Sequence, residues 1–285
     1  MVFVIYQAAS WQEVKEHFAD RPLWAFRGQS NSRWSLETTL YREAVRRDGL
    51  VPALASRESW ILYQFKRFSQ HYRSDLPPEN DVLAWLSLIQ HYGGPTRLLD
   101  FSYSLYVAAF FAVESAENDA AIWAISLDVL ELAAHSRLNI SASGSIIDFR
   151  RANNEKFQEL VNRPSDTEAV LHVEPDQLHE RMWIQQSLFL APTCPNKPFM
   201  TNLASVFGKK AGSFSRAKKV KEWPQTLEDK SWLDFGEPGC LGVIKIELPR
   251  EIHREILDDL QAMNINAATL FPGLEGFARS LKYFV

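Results

Sequence analysis

Apolar and polar positions alternate along this chain in two different periods, and the change of period lays out its elements. Short apolar runs at 2–6, 23–27, 120–127, 169–173, 188–191 and 241–248 read as strands, the last of them (Leu-Gly-Val-Ile-Lys-Ile-Glu-Leu) the clearest. Between them, spacing near 3.6 predicts helices at about 36–48, 56–73, 79–91, 104–116, 128–135, 153–162, 176–186 and 250–262. The helix at 79–91 puts Val82, Leu83, Leu86 and Ile89 on one face. A Ser10-Trp-Gln-Glu13 run has the spacing of a capping box and opens a further helix to about Ala19. The stretch 192–239 is poorly patterned and rich in proline, and 270–273 reads as a turn into a last short helix. Helices crowd the first half and strands recur late. That distribution predicts an α+β fold, a single domain over residues 1–285 with a mixed sheet and a helical insertion.

Composition narrows the class. A chain of 285 residues with 46% hydrophobic content, 9 Trp and 18 Phe can bury a large core and is not disordered. A net charge of −4 argues against a protein dominated by nonspecific nucleic-acid binding. The segment Lys209–Lys221 nevertheless carries six basic residues and could touch a phosphate backbone, or be a solvated loop. Cys194 and Cys240 lie far apart with no CxxC spacing, which suits a reducing compartment and offers no zinc ligand set. No apolar run reaches the length of a membrane span and the first residues lack signal-peptide character, so a cytoplasmic protein is expected.

Candidate chemistry concentrates in three places. Leu23-Trp-Ala-Phe-Arg27 ends in an arginine followed by Gly28 and Gln29. Arg27 offers a bidentate fork for phosphate or carboxylate, and a glycine beside it would let a ligand approach. Gln29 could read an amide or a ribose hydroxyl, or cap a turn. The second place is Gln90-His-Tyr-Gly-Gly-Pro-Thr-Arg-Leu-Leu-Asp100, where glycines and a proline constrain the backbone around polar groups. Here Arg97 is a candidate anion binder, and His91, Thr96 and Asp100 are candidate catalytic groups. Structural alternatives exist for each: an Arg27–Asp100 ion pair, a helix-terminal His91, and Asp100 or Ser102 as a helix N-cap. In the third, Arg181 and Gln185 share a helical face, with Gln186 next to them. His172 and His179 have no third partner nearby, so no metal site is expected. Motifs of zinc proteases, α/β-hydrolases and P-loop NTPases are absent.

Four segments together resemble the FRG-domain family: Trp24-Ala-Phe-Arg-Gly-Gln29 with Trp34-Ser-Leu36 and Arg42; Gln90 to Asp100 running on into Ser102 and Ala108-Ala-Phe-Phe-Ala112; Arg181-Met-Trp-Ile-Gln-Gln-Ser-Leu-Phe189; and Leu270-Phe-Pro-Gly-Leu274. They fall in the family's order, with Ser187 standing where the family has glycine. The family occurs in bacteria and phages, sometimes in toxin or defence settings, and the resemblance assigns ligand contacts to Arg27, Gly28, Gln29, Arg97, Ser102 and Arg181. An early Arg-Gly, central hydroxyls at Thr96, Ser102 and Ser104, and late Gln185, Gln186 or Glu275 are similar in order to the three-part signature of ADP-ribosyltransferases. On that similarity the fold would be ADP-ribosyltransferase-like, the cofactor NAD, and the ligand a nucleotide or other phosphorylated molecule, with a protein or nucleic-acid target. The Glu-x-Glu and Gln-x-Glu tripeptides of that superfamily do not occur. A noncatalytic nucleotide- or partner-binding module uses the same arginines, and a metal-dependent nuclease built on Asp100, His91 and the basic segment is a third reading.

Overall fold

A computed structural model describes residues 2–49, 53–142, 144–178, 180–212, 214–217 and 241–284. In chain order the elements are β1 (Val2–Gln7), α1 (Trp11–Phe18), β2 (Trp24–Gln29), α2 (Thr39–Asp48), α3 (Leu54–Ser69), α4 (Val82–His91), β3 (Leu99–Ser102) and α5 (Leu105–Val113). Then come β4 (Ala120–Ser126), α6 (Leu127–Leu138), α7 (Ile146–Asn162), β5 (Val170–Val173), α8 (Glu180–Ile184), β6 (Ser187–Pro192) and α9 (Phe199–Val206). The chain closes with β7 (Phe214–Ala217), β8 (Leu241–Leu248), α10 (His253–Ala262), α11 (Ala267–Leu270) and α12 (Leu274–Ser280).

The described strands form one sheet in the order β5-β6-β3-β2-β4-β8-β1-β7. β1 runs parallel to β7 and β8, and the other pairings are antiparallel. The fold is therefore α+β with a mixed sheet, and α2, α3 and α4 form the helical insertion between β2 and β3.

Helices cover both faces, so the central strands are apolar throughout. β4 (Ala-Ala-Ile-Trp-Ala-Ile-Ser) is buried at every position. Its side chains alternate between two cores. Trp123 and Ile125 join α4, α6, α7 and α9 on one face. Ile122 and Ala124 join α1, α5, α10 and α11 on the other. α5 is buried on almost every side and lies hard against β2. Gly28 makes that possible, because a Cβ there would fall 2.0 Å from the Ala108 carbonyl oxygen and 2.5 Å from the Ala112 amide nitrogen. The missing side chain permits this close helix–strand packing, and the Gly28 backbone also lines the cavity between β2 and β3.

Hydroxyls and carboxylates fix the helix starts. Ser10 caps α1 by accepting from the Glu13 amide, while the Glu13 carboxylate accepts from the Ala9 amide rather than that of Ser10. Asp81 caps α4 and Ser104 caps α5, so neither Asp100 nor Ser102 is the cap.

Four predicted segments differ. The helix expected at 176–186 shrinks to α8, because Ser187 pairs with Ser102 in the β3–β6 ladder and Gln186 turns into it at φ 48°. The supposed loop around Asp100 is strand β3, and α9 arises inside the proline-rich stretch with Pro198 at its N-cap. Residues 250–262 divide into a 3-10 turn, Arg250–Ile252, and α10.

Candidate functional site

β2 and β3 touch at one register pair, Phe26 with Ser102, and then part. Beyond that pair no ladder bonds join them, and the gap becomes a cavity of about 350 Å³. Arg27 reaches into the gap from β2. Its Nη1 donates to the Asp100 carbonyl at 2.6 Å, serving as a ladder donor the backbone does not supply. The Asp100 carboxylate stands 3.9 Å from the same nitrogen. The Arg27 Nε–H is buried with no hydrogen-bond partner among the described residues. A buried donor left unpaired costs on the order of 1–3 kcal/mol, so it wants an acceptor.

Three further segments complete the wall. α4 supplies Gln90 and His91 at its end, α8 and β6 supply Arg181, Gln185 and Ser187, and Trp34 and Arg42 come from the chain after β2. Phe26, Phe101, Phe111 and Phe189 form the apolar part of the lining. Among the described residues, three arginines, Arg27, Arg42 and Arg181, thus share the space with one carboxylate, that of Asp100.

Burial holds the Arg27 guanidinium below the usual arginine range; Asp100 works against that and Arg42 adds to it. Arg181 is lowered for the same reason, with Asp100 opposing and Arg279 adding. Its guanidinium lies 4.6 Å from the centre of the Phe271 ring, which Arg279 also approaches, at 4.3 Å. His91 is lowered by burial and then by Arg181 and Arg73, which favours the neutral imidazole near neutral pH. The cavity is cationic and partly dry.

Residues 22–121 match the family model described as FRG domain. The chain carries an FRG domain. No curated protein and no solved structure matches the chain. The matched stretch holds Arg27, Trp34, Arg42, His91 and Asp100, whereas Arg181 and Gln185 reach the same cavity from outside the FRG segment.

Of the residues proposed from sequence, Arg27, Gly28, Gln29, His91, Asp100, Ser102, Arg181 and Gln185 line the cavity. Arg97 does not. It is 1% exposed and paired with a fully buried Glu58, which also accepts from the Arg97 amide at 3.0 Å. Thr96 is equally internal: its hydroxyl donates to Gln90 and accepts from the Leu98 amide, so it cannot meet substrate. Gln186 is exposed, lies away from the cavity lining, and serves the turn into β6.

Several of the side chains lining the cavity also make internal hydrogen bonds. Gln29 donates to the Ser35 carbonyl and accepts from the Trp123 indole at 2.8 Å. Gln185 donates to the Leu270 carbonyl, and Ser102 donates to the Gln185 carbonyl while accepting from the Ser104 amide. These bonds tie the three side chains into the cavity wall. Gly28 is filled by α5, as above. Trp34, Arg42, Gln90 and Ser187 were part of the FRG resemblance without an assigned role. Their place in the same segments was the available signal.

A second polar cluster lies under β5. The imidazole of His172, 3% exposed, contacts Glu131 at 2.6 Å and Glu174 at 2.9 Å, and the Tyr103 hydroxyl donates to Glu174. Arg150 donates to Tyr103 and pairs with Glu174 at 3.3 Å. Burial opposes the His172 charge, yet hydrogen bonds to Glu131 and Glu174 outweigh it and raise its pKa. His179, weighed with His172 as a ligand pair, lies outside the described residues. Among the described residues no group of three or more His, Cys, Asp or Glu is arranged for a metal. Lys209 and Lys210 of the basic segment are exposed, and its residues 218–221 lie outside the described residues. No described helix is long and apolar enough to cross a membrane.

Proposed function

We propose that the cavity between β2 and β3 binds a phosphorylated small molecule of roughly nucleotide size. The observation that carries this reading is Arg27: a half-buried side chain whose Nε–H is buried and unpaired among the described residues, in a space where three arginines face one carboxylate. Phosphate oxygens accept from guanidinium forks in bidentate geometry, and desolvation strengthens each such bond. The cavity volume, about 350 Å³, lies at the small end of the range for ligand sites, so a mononucleotide fills it and a dinucleotide extends beyond it.

Melting-temperature shifts with AMP, NAD, ribose 5-phosphate and pyrophosphate test the reading. Ligand at a hundred times its Kd stabilises by about 2.7 kcal/mol, and Arg27→Ala abolishes the shift. If none of these compounds stabilises the wild-type protein, the reading fails.

A transferase reading on NAD attaches to one further observation. Asp100 is the carboxylate that lines the cavity, and its side chain is 56% exposed beside Arg27. A carboxylate so placed stabilises an oxocarbenium-like centre when nicotinamide departs, as acid–carboxylate pairs do at glycosidic bonds. Thr96 and Gln186, expected to share that work, are excluded by their positions. Nicotinamide release that Asp100→Asn abolishes, with NAD binding retained, is the expected result; binding without release leaves a noncatalytic recognition module.

A further inference from the structure

The mouth of the cavity carries an aromatic side chain with a role of its own. Trp34 lines the cavity yet leaves 52% of its surface to solvent, whereas Phe26, Phe101 and Phe189 in the same lining are buried. Its backbone is held from several sides. The Trp34 carbonyl accepts from the buried Lys245 Nζ at 3.1 Å, and its amide donates to the Asn31 carbonyl at 3.2 Å. One residue before, Arg33 is fixed by Asn31 Oδ1; one residue after, the Ser35 carbonyl accepts from Gln29. The Ser32 amide donates to the Asp119 carbonyl at 2.7 Å, and Leu36 is fully buried.

Lys245 itself sits 4.9 Å over the Trp123 ring, in the register row Arg27–Trp123–Lys245 that crosses β2, β4 and β8. The same row that places the Arg27 guanidinium therefore also anchors the loop bearing Trp34. A large exposed indole on a backbone this constrained loses little entropy when something stacks on it.

We infer that Trp34 is a stacking platform for a nucleobase, which makes the ligand of the cavity a nucleotide rather than a sugar phosphate. This inference rests on the phosphate-binding reading above and adds the identity of the second half of the ligand. The phosphate sits with Arg27, Arg42 and Arg181; the base lies on the indole at the mouth. Stacking on an aromatic platform tolerates any base, because each has a π-face, so specificity among bases has to come from elsewhere.

Calorimetric titrations of AMP and of ribose 5-phosphate separate the two halves. On the wild-type protein AMP binds more tightly than ribose 5-phosphate. In Trp34→Ala, AMP weakens about 10- to 100-fold, as expected for loss of one base–aromatic stack, and ribose 5-phosphate is unchanged. Trp34→Phe keeps most of the AMP affinity. Arg27→Ala loses both ligands. Stacking is overturned, with the phosphate reading intact, if AMP is no tighter than ribose 5-phosphate, if Trp34→Ala leaves AMP unchanged, or if it weakens both ligands equally. Should the wild-type protein bind neither compound, the phosphate reading falls and the stacking inference with it.

Discussion

Arg27 and Arg97 look alike in sequence and do opposite work. Each is an arginine near glycine-containing backbone, Arg97 fully buried and Arg27 with 21% of its side chain exposed. Arg97 hands its guanidinium to Glu58 inside the core, where neither side chain meets water. Arg27 gives one N–H to a strand carbonyl and keeps a buried Nε–H unpaired at the wall of a cavity. Arg97 also keeps a buried Nη1 without a hydrogen-bond partner among the described residues, so what sets Arg27 apart is the cavity it faces. The difference lies in whether the fold brings a carboxylate from another element to the same depth. α3 carries Glu58 to Arg97, and Asp100 stays at 3.9 Å from Arg27, pointing partly to solvent.

The sharpest way to break this comparison is to remove each arginine in turn. Arg97→Ala leaves Glu58 charged and unpaired in the core and costs about 3–5 kcal/mol in chemical denaturation. Arg27→Ala removes a bond at an open cavity and costs no more than about 1.5 kcal/mol. Equal losses would mean that Arg27 is as structural as Arg97.

Gly28→Ala probes the strand that presents Arg27. A methyl there meets α5 backbone, which cannot swing aside as a flexible side chain would, so a loss of about 1–3 kcal/mol is expected. An unchanged unfolding curve would contradict the tight β2–α5 contact.

His172 extends the contrast to a buried charge that titrates. Its raised pKa means that its contribution to stability is complete below the ordinary histidine value of 6.5 and fades as pH rises through the higher folded value. Unfolding free energy measured against pH therefore declines on that alkaline side, and His172→Gln removes the part of the decline that His172 contributes. An identical decline in the variant would show that His172 is not its source.

The smallest effect belongs to Gln186. At φ 48° it occupies the left-handed region, so Gln186→Gly is expected to stabilise by about 0.5–1 kcal/mol with ligand binding unchanged. Loss of binding in that variant would return Gln186 to the site.

Much of this was legible in the sequence, and the failures share a cause. Period-2 and period-3.6 patterns located β4, β8, α4 and α5 because those elements bury whole faces. β3 escaped because its four residues follow Arg97 in a run of chemistry-bearing side chains and carry only a short apolar pattern. α9 escaped because the surrounding prolines masked Phe199, Met200, Leu203 and Val206, although these recur at helical spacing. In the cavity wall, the positions of Arg27, His91, Asp100 and Arg181 match candidates picked from local residue types. Arg97 was misassigned because Glu58, which neutralises it, lies on a helix whose local pattern says nothing about Arg97. Partners distant in sequence decide which polar residues are spent.

The most direct measurement is a crystal structure of the protein soaked with AMP, read for where the phosphate lies. The expected position is within hydrogen-bond distance of the Arg27 guanidinium, between β2 and β3. A phosphate bound elsewhere on the molecule, with that cavity unoccupied at saturating AMP, would contradict the proposal that this space is the ligand site.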